Sequence, residues 1–268
     1  MRFADLCGSH HPQTALSCYA AFKPDSKPAL KAAIGACLAD SPTGSNCKEG
    51  AIGTWNVSKV TDMSSMFQYE REFNGALSSW DVSKVTDMSS MFRDAKAFNQ
   101  DLSSWKVGQV KSMGHMFWGA KSFNQDLSSW SVGQVKNMRD MFSGAMTFNQ
   151  PLSSWDVSKV TDIGSMFKNA VSFNQPLLFW KVGQVIVMRY MFQGATSFNQ
   201  DLSAWDVTRA KAIYGMFNGA YSFSQTLCGA SWRLKDPKAV LAGTSGKASI
   251  GATGCTTSTT GGLYEPFA

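Results

Sequence analysis

The segment NQDLSSWKVGQVKSMGHMF, residues 99–117, decides the fold because the chain repeats its pattern every 25 residues without an insertion. Its Trp recurs at Trp55, Trp80, Trp105, Trp130, Trp155, Trp180 and Trp205, which number repeats 1 to 7. The same step relates Leu77 to Leu227, Phe67 to Phe217, Phe73 to Phe223 and Asn74 to Asn199. A fixed period of this length is the sequence signature of a repeat architecture.

Each repeat carries two apolar patterns. The Leu102-x-x-Trp105-x-Val107 piece alternates in its second half, which predicts a short strand with one buried face. Residues 113, 116, 117 and 120 are Met, Met, Phe and Ala, at the spacing of one face of a helical turn. We therefore predict an α/β solenoid: a leucine-rich-repeat-like stack of about seven 25-residue strand-plus-helical-turn coils with a parallel sheet, capped at both ends.

The composition agrees with this interpretation. The 268 residues include nine Trp, 18 Phe and 14 Met, and only 16% are charged. Most of the Trp and Phe are rungs of the repeat, so the length describes one elongated body rather than two domains. The 44% of hydrophobic residues can bury a core, which excludes disorder of the whole chain. The net charge of +6 is spread along the chain, which argues against a strongly electrostatic protein.

The Asn column at 25-residue steps, from Asn74 to Asn199, has a structural interpretation. A stacked Asn amide can bond backbone groups of its own and the adjacent coil, which satisfies polar groups that the stack buries. A role in ligand binding is the less favoured reading of this column.

The chain divides into three predicted parts: an N-terminal helical cap over 1–50, the repeat solenoid over 51–229, and a C-terminal cap with a Gly/Ser/Thr-rich tail over 230–268. Ser26 or Asp25 can begin a cap helix, and Pro28 suits its first turn. The Gly/Ser/Thr content of 243–262 predicts a loosely ordered segment.

All six cysteines lie outside the core repeats, where caps bury less apolar surface and cross-links stabilise most. The predicted disulfides are Cys37–Cys47, Cys228–Cys255 and Cys7–Cys18. Such pairing indicates an oxidising compartment, so we expect an extracellular or cell-surface location, although no signal peptide is visible at Met1. A zinc site is disfavoured because no C-x2-C pair is present.

The string from Trp80 to Phe92, WDVSKVTDMSSMF, followed by Ala95, Phe98-Asn99-Gln100 and Leu102, resembles the BspA-like leucine-rich-repeat surface-protein family. These 25-residue repeats also occur in mycoplasma lipoproteins. The resemblance covers about 51–229 and implies a solenoid displayed outside the cell. It implies adhesion or recognition, and it transfers no catalytic residue.

Catalysis has little support in the sequence. The three histidines are His10, His11 and His115, and His115 occupies a variable repeat position that we expect to be solvated. No phosphate-binding loop and no nucleophile–base arrangement is visible. We expect no enzyme activity, no cofactor and no metal site. No run of about 18 apolar residues predicts a transmembrane helix.

The outward position between the Trp and Val of each repeat is a candidate binding strip. Its residues are Asn56, Asp81, Lys106, Ser131, Asp156, Lys181 and Asp206. Such a polar, mixed-charge strip suits a glycan or a protein loop, although a solvated surface is the plainer alternative. Alternating charge disfavours nucleic acid. Six nearby lysines form a basic edge, which we expect three aspartates to interrupt: Lys59, Lys84, Lys111, Lys136, Lys159 and Lys211, with Asp62, Asp87 and Asp162.

Repeat 6 departs from the pattern because it has apolar residues where the other repeats have polar ones. They are Leu178, Phe179, Ile186, Val187 and Tyr190, and together they form a candidate apolar contact patch. Local repacking is the alternative explanation.

The sequence as a whole favours a non-enzymatic module that recognises or adheres to a protein or glycan on a surface. The alternative is a structural spacer without a specific ligand, within a cell-envelope or extracellular-matrix assembly.

Overall fold

A computed structural model describes residues 22–251 of the chain. Its regular elements are helix α1 (Lys27–Asp40), a 3-10 helix (Ile52–Thr54), strand β1 (Thr226–Leu227), a 3-10 helix (Trp232–Leu234), helix α2 (Pro237–Leu241) and strand β2 (Ser249–Ile250). Strands β1 and β2 pair in parallel, with Thr226 opposite Ser249. The helix predicted near Ser26 is therefore present, with Ser26 as its N-cap and a Pro in its first turn.

Between the two ends, equivalent residues of successive repeats lie on one another. Isolated parallel bridges join Asp62, Asp87, Ser112, Asn137, Asp162, Val187 and Ala212 in one column. After each bridge, alternate amides donate to the next repeat. In repeat 2 these are Met88, Ser90, Phe92 and Asp94, with donor–acceptor distances of 2.6–3.0 Å. The repeats therefore form a stack held by backbone hydrogen bonds.

The local conformation differs from the one that the pattern predicts. In the described repeats the Leu-x-x-Trp-x-Val piece forms turns and unpaired backbone, and Met113 to Ala120 forms successive turns rather than a helix. In a helix, each amide after the first turn bonds the carbonyl four residues earlier, whereas here alternate amides bond the next repeat. His115 and Gly119 have φ of 59° and 69°, the left-handed conformation that turns the chain at these two positions.

The core consists of aromatic columns that run along the stack. Ring centroids of successive repeats lie 5.5–5.7 Å apart in the Phe67 column and 5.8–6.1 Å apart in the Phe73 column. In the Trp column from Trp105 to Trp205 they lie 6.4–6.5 Å apart. Bonded parallel backbone has a spacing of about 4.8 Å. Because the spacing increases towards the Trp column, the stack curves with that column on its outer side.

The Trp column also bonds one repeat to the next. Trp105 donates its indole N–H to the backbone carbonyl of Leu77 at 3.0 Å, and Trp130 does the same to Leu102. At the end of the array, Trp232 bonds the Leu202 carbonyl at 3.0 Å, across a separation of 30 residues instead of 28. Trp232 therefore occupies the next position of the Trp column, where the sequence no longer follows the 25-residue repeat.

The Asn column forms the hydrogen bonds to the adjacent repeat that its structural interpretation predicts. The Asn99 side-chain oxygen accepts from the backbone amide of Asn124 at 2.9 Å and from the Gln125 side chain at 3.0 Å. The same bonds recur along the column, ending with the Ser224 amide on Asn199. Each Asn thus satisfies a loop amide of the next repeat.

Helix α1 covers the first repeat with its apolar face, on which Leu30, Ile34, Cys37 and Leu38 are buried. Lys31 donates to the backbone carbonyls of Ser65 and Met66 at 2.8 Å each. In later repeats the carbonyl equivalent to that of Met66 receives an amide of the preceding repeat. Lys31 replaces this missing donor at the end of the stack.

The cysteine pairing is confirmed where the structure describes it: Cys37 and Cys47 form a disulfide that closes the N-terminal cap. Cys228 is disulfide-bonded, whereas its predicted partner Cys255 lies outside the described residues. The predicted Cys7–Cys18 pair also lies outside them.

Helix α2 and strand β2 cover the other end of the stack. The amides of Gly215 and Gly219 donate to the carbonyls of Ala239 and Gly243 at 2.8 and 3.0 Å. The prediction that 243–262 is loosely ordered is wrong for Ser249–Ile250, which form strand β2 on β1. The backbone of β1 supplies the pairing partner, a long-range contact that composition does not reveal.

Candidate functional site

All seven residues of the candidate strip are exposed. Each one lies between a buried Trp and a buried Val, as the alternation predicts. Asp81, for example, separates Trp80 and Val82, which are 3% and 1% exposed. The strip is therefore a continuous line of outward side chains along the stack.

The acidic members of the strip also hold their own backbone. Asp81 accepts from the Ser83 hydroxyl at 2.6 Å and from the Ser83 amide at 3.1 Å. These bonds lower the pKa of the Asp81 carboxyl below its ordinary value, as the equivalent bonds do for Asp156 and Asp206. In the repeats whose strip residue is Lys106, Ser131 or Lys181, the position two residues later is Gly. The small residues beside the strip thus follow from turn chemistry.

A row of serine hydroxyls runs beside the strip and is interrupted in repeats 6 and 7. Ser104, Ser129 and Ser154 each donate to a backbone carbonyl of the preceding repeat at 2.7–2.8 Å. The two following positions of the row are Phe179 and Ala204, which have no hydroxyl. Phe179 is 82% exposed. An aromatic ring therefore stands in solvent where the earlier repeats have a bonded hydroxyl.

Two shallow depressions lie at this interruption. One, of about 420 Å³, is lined by Leu178, Phe179, Lys181, Ala204 and Asp206, among others. The other, of about 320 Å³, shares Ala204 and Asp206 and continues to Ser231 at the C-terminal end. We call the two together the Phe179 groove. It combines an aromatic ring, one cation and one carboxylate.

The five residues of the predicted apolar patch fall into different surroundings. Leu178 and Phe179 line the groove. Ile186 is half-buried, and its amide donates to the Thr161 carbonyl at 2.8 Å. Val187 belongs to the column of parallel bridges. The ring of Tyr190 packs edge-on against Tyr214, with centroids 5.2 Å apart. Sequence reasoning did not identify Tyr214 as a partner of Tyr190, nor Ala204 as a partner of Phe179. The only indication of the Phe179–Ala204 pair in the sequence is that two consecutive repeats lack a hydroxyl at this position.

A charged and aromatic cluster surrounds His115. Its Nε2 lies 3.4 Å from the Asp140 carboxylate, which Arg139 also contacts at 3.2 Å. Burial lowers the pKa of His115 and outweighs the opposing attraction of Asp140. Nearby, the Arg93 guanidinium lies 4.7 Å from the centre of the Trp118 ring. His115 is thus half-buried, not fully solvated as the sequence predicts.

Within residues 22–251 no group of three or more His, Cys, Asp and Glu side chains is arranged to hold a metal ion. In the same part of the chain, no helix is long and apolar enough to span a bilayer.

These features define a protein of stacked 25-residue repeats with an exposed polar strip and one aromatic groove. A family model described as "Mycoplasma protein of unknown function, DUF285" matches residues 41–155 and 125–232. The matches together cover more than half of the chain, which therefore belongs to this repeat-containing family. No curated protein and no solved structure matches the chain significantly.

Proposed function

We propose that the stacked repeats form an α/β solenoid of the leucine-rich-repeat type, as in the BspA-like surface proteins that the repeat resembles. Membership of the DUF285 family supports this assignment. The single column of parallel bridges from Asp62 to Ala212 supports it further. So does the curvature of the stack, which has the Trp column on its outer side.

On this scaffold, we propose a non-enzymatic module that recognises a protein or a glycan on a surface and acts outside the cell. The observation that carries the proposal is the exposed Phe179 ring in the interrupted hydroxyl row. An aromatic side chain in a depression provides a large apolar contact at small cost in conformational entropy. Lys181 and Asp206 line the same depression and supply polar groups that orient a ligand.

The compartment is proposed from the cysteines. The Cys37–Cys47 disulfide is stable under oxidising conditions, which prevail at cell surfaces and in secreted proteins. A module displayed there would expose the strip and the Phe179 groove to surface molecules.

One observation favours the alternative, a spacer without a specific ligand. Three carboxylates of the strip, those of Asp81, Asp156 and Asp206, already accept hydrogen bonds from residues two positions later. Their presence is thus explained by turn formation alone. This leaves the Phe179 groove, rather than the strip as a whole, as the feature that distinguishes the two functions.

Phe179→Ser tests the proposal because it restores the residue that repeats 2 to 5 have at this position. The control, Tyr221→Ser, removes another exposed aromatic ring, which is 67% exposed in the wild type. Secreted wild-type protein is screened on a glycan array and in pull-downs from surface proteins, and its ligands are titrated against both variants. We expect Phe179→Ser to weaken binding about 30-fold, as for a central aromatic anchor, and Tyr221→Ser to leave it unchanged.

Failure to find any ligand, or equal affinity of wild type and Phe179→Ser for every ligand found, would refute the recognition proposal and favour the spacer.

A further inference from the structure

A second surface of the stack carries only positive charge. Two outward positions of each repeat, at the equivalents of Lys59 and Thr61, form adjacent columns along the stack. Their charged members are Lys59, Lys84, Lys111, Lys136, Lys159, Arg209 and Lys211, all of them exposed. We call this set the basic ridge. No acidic residue occupies either column in the seven repeats.

Each of repeats 1 to 5 contributes one cation to the ridge, repeat 6 has Gln184 and Ile186 instead, and repeat 7 contributes two cations. The backbone of the ridge is bonded from repeat to repeat. The Lys111 amide donates to the Thr86 carbonyl at 2.8 Å, and the Lys136 amide donates to the Lys111 carbonyl at 2.9 Å. Lys159 reaches the Gln134 side chain of the preceding repeat at 3.1 Å. Successive members of a column are therefore about 4.8 Å apart along the stack.

The aspartates expected to interrupt this edge do not stand in it. Asp62, Asp87 and Asp162 are half-buried in the bridge column. Each of them accepts a backbone amide two residues later at 2.8 Å. In repeats 3 and 4 the equivalent residues are Ser112 and Asn137, so the centre of the ridge has no acid in the bridge column. The expectation from sequence that acids interrupt the basic edge is wrong, because adjacent residues face different columns.

The cations of the ridge have no ion-pair partner in the part of the chain that the structure describes. Three ion pairs occur there, Lys27–Asp62, His115–Asp140 and Arg139–Asp140, and none contains a ridge residue.

Lys111 and Lys136 stand in the same column of adjacent, hydrogen-bonded repeats. Like charges placed directly opposite destabilise neighbouring strands. A bound polyanion would remove this repulsion. The stacking of Lys111 on Lys136, which destabilises the free protein, therefore favours the binding of an anionic ligand.

We propose that the basic ridge binds a linear acidic polysaccharide, whose sulfate or carboxylate groups recur along a narrow chain. We choose a narrow chain as the ligand because the ridge itself is narrow. Exposed acids lie beside it on the strip, where Asp81 and Asp156 stand three residues before Lys84 and Lys159 of the ridge. The bridge-column aspartates lie on its other side. A narrow chain follows the cations between these acids, whereas a planar anionic membrane or a DNA duplex would also cover the acids.

Single-stranded nucleic acid is a poorer fit because it is held by aromatic side chains on which its bases stack. The large apolar side chains exposed in residues 22–251 are Tyr69, Met146, Phe179, Tyr214, Tyr221 and Leu234, and none belongs to the ridge.

The test uses heparin as the sulfated probe and polygalacturonate as the carboxylated one, with neutral dextran as the uncharged comparison. The variant is Lys111→Thr with Lys136→Thr, because Thr occupies this position in repeats 1, 2 and 5. The matched control is Lys96→Thr with Lys121→Thr. It also removes two lysines at equivalent positions of adjacent repeats, but these lysines lie outside the two columns of the ridge. Unchanged circular dichroism and melting temperature confirm that both variants fold.

We expect wild type to bind at least one acidic probe, with an affinity that falls as salt rises, and not to bind dextran. The ridge variant should bind about tenfold more weakly and with a smaller salt dependence, whereas the control should bind like wild type. Absence of binding to both acidic probes, or equal loss in both variants, would overturn the proposal. So would tighter binding to phosphatidylserine vesicles or to DNA through the same lysines. Phe179→Ser should leave heparin binding intact, which separates this proposal from the one made for the groove.

Discussion

The Asn column offers the sharpest test of how the stack is held together, and Asn124 lies near its middle. Its side-chain oxygen accepts from the Asn149 amide at 2.9 Å and from the Gln150 side chain at 3.1 Å. Asn124→Ala removes both bonds and leaves a half-buried backbone amide without its acceptor. Asn124→Asp keeps an oxygen at the same place and is the matched control.

The expected loss follows from these two bonds. An amide left without its partner costs about 1–2 kcal/mol when it is only half-buried. The Gln150 side chain can turn to water, so it adds little. A change of 1 kcal/mol shifts the melting temperature of a chain of this size by about 2–4 °C. Asn124→Ala should therefore melt about 3–6 °C below wild type, and Asn124→Asp close to it.

Two measurements check this expectation. Calorimetry gives the melting temperature, and hydrogen exchange of the Asn149 amide reports the bond itself. Exchange at Asn149 should be about tenfold faster in Asn124→Ala than in wild type. A melting temperature within about 1 °C of wild type, with the Asn149 amide still protected, would show that the column does not hold the loops.

Two further predictions concern the core and the response to pH. Trp130→Phe removes the buried indole bond to the Leu102 carbonyl and leaves a void, so the free energy of unfolding in urea should fall by about 3 kcal/mol; a loss below about 1 kcal/mol would contradict this. Burial lowers the pKa of His115 below its ordinary value of 6.5, so the unfolded chain binds more protons at this site and the stability contributed there is lost as pH falls below 6.5. His115→Ser, with the residue found in three other repeats, should melt with a smaller difference between pH 7.5 and 5.5 than wild type, and an equal difference would refute the assignment.

Sequence reasoning located the candidate site only in part. The exposure of the strip follows from its place between Trp and Val, and Phe179 stands out because its column otherwise holds Ser or Thr, with Ala204 as the one further exception. The grouping of Phe179 with Tyr190 does not follow from the sequence, because the path of the chain within each repeat decides which side chains meet. The sequence identifies most cations of the basic ridge but places the aspartates among them, because residues adjacent in the chain, such as Lys111 and Ser112, face different columns.

The sequence by itself determined which residues are buried and that they recur every 25 positions. Trp105, Val107, Met113, Met116 and Phe117 are all buried, as their spacing predicts. It did not determine the backbone that buries them, since the spacing of Met and Phe is that of a helix and yet the segment forms turns. Only the tertiary structure decided this, because alternate amides find their acceptors in the next repeat and left-handed residues such as His115 turn the chain between them. The apolar pattern within one repeat shows which residues face the core. The acceptor of each of these alternate amides lies 24 residues further along the chain, and it comes within reach only when the repeats have stacked.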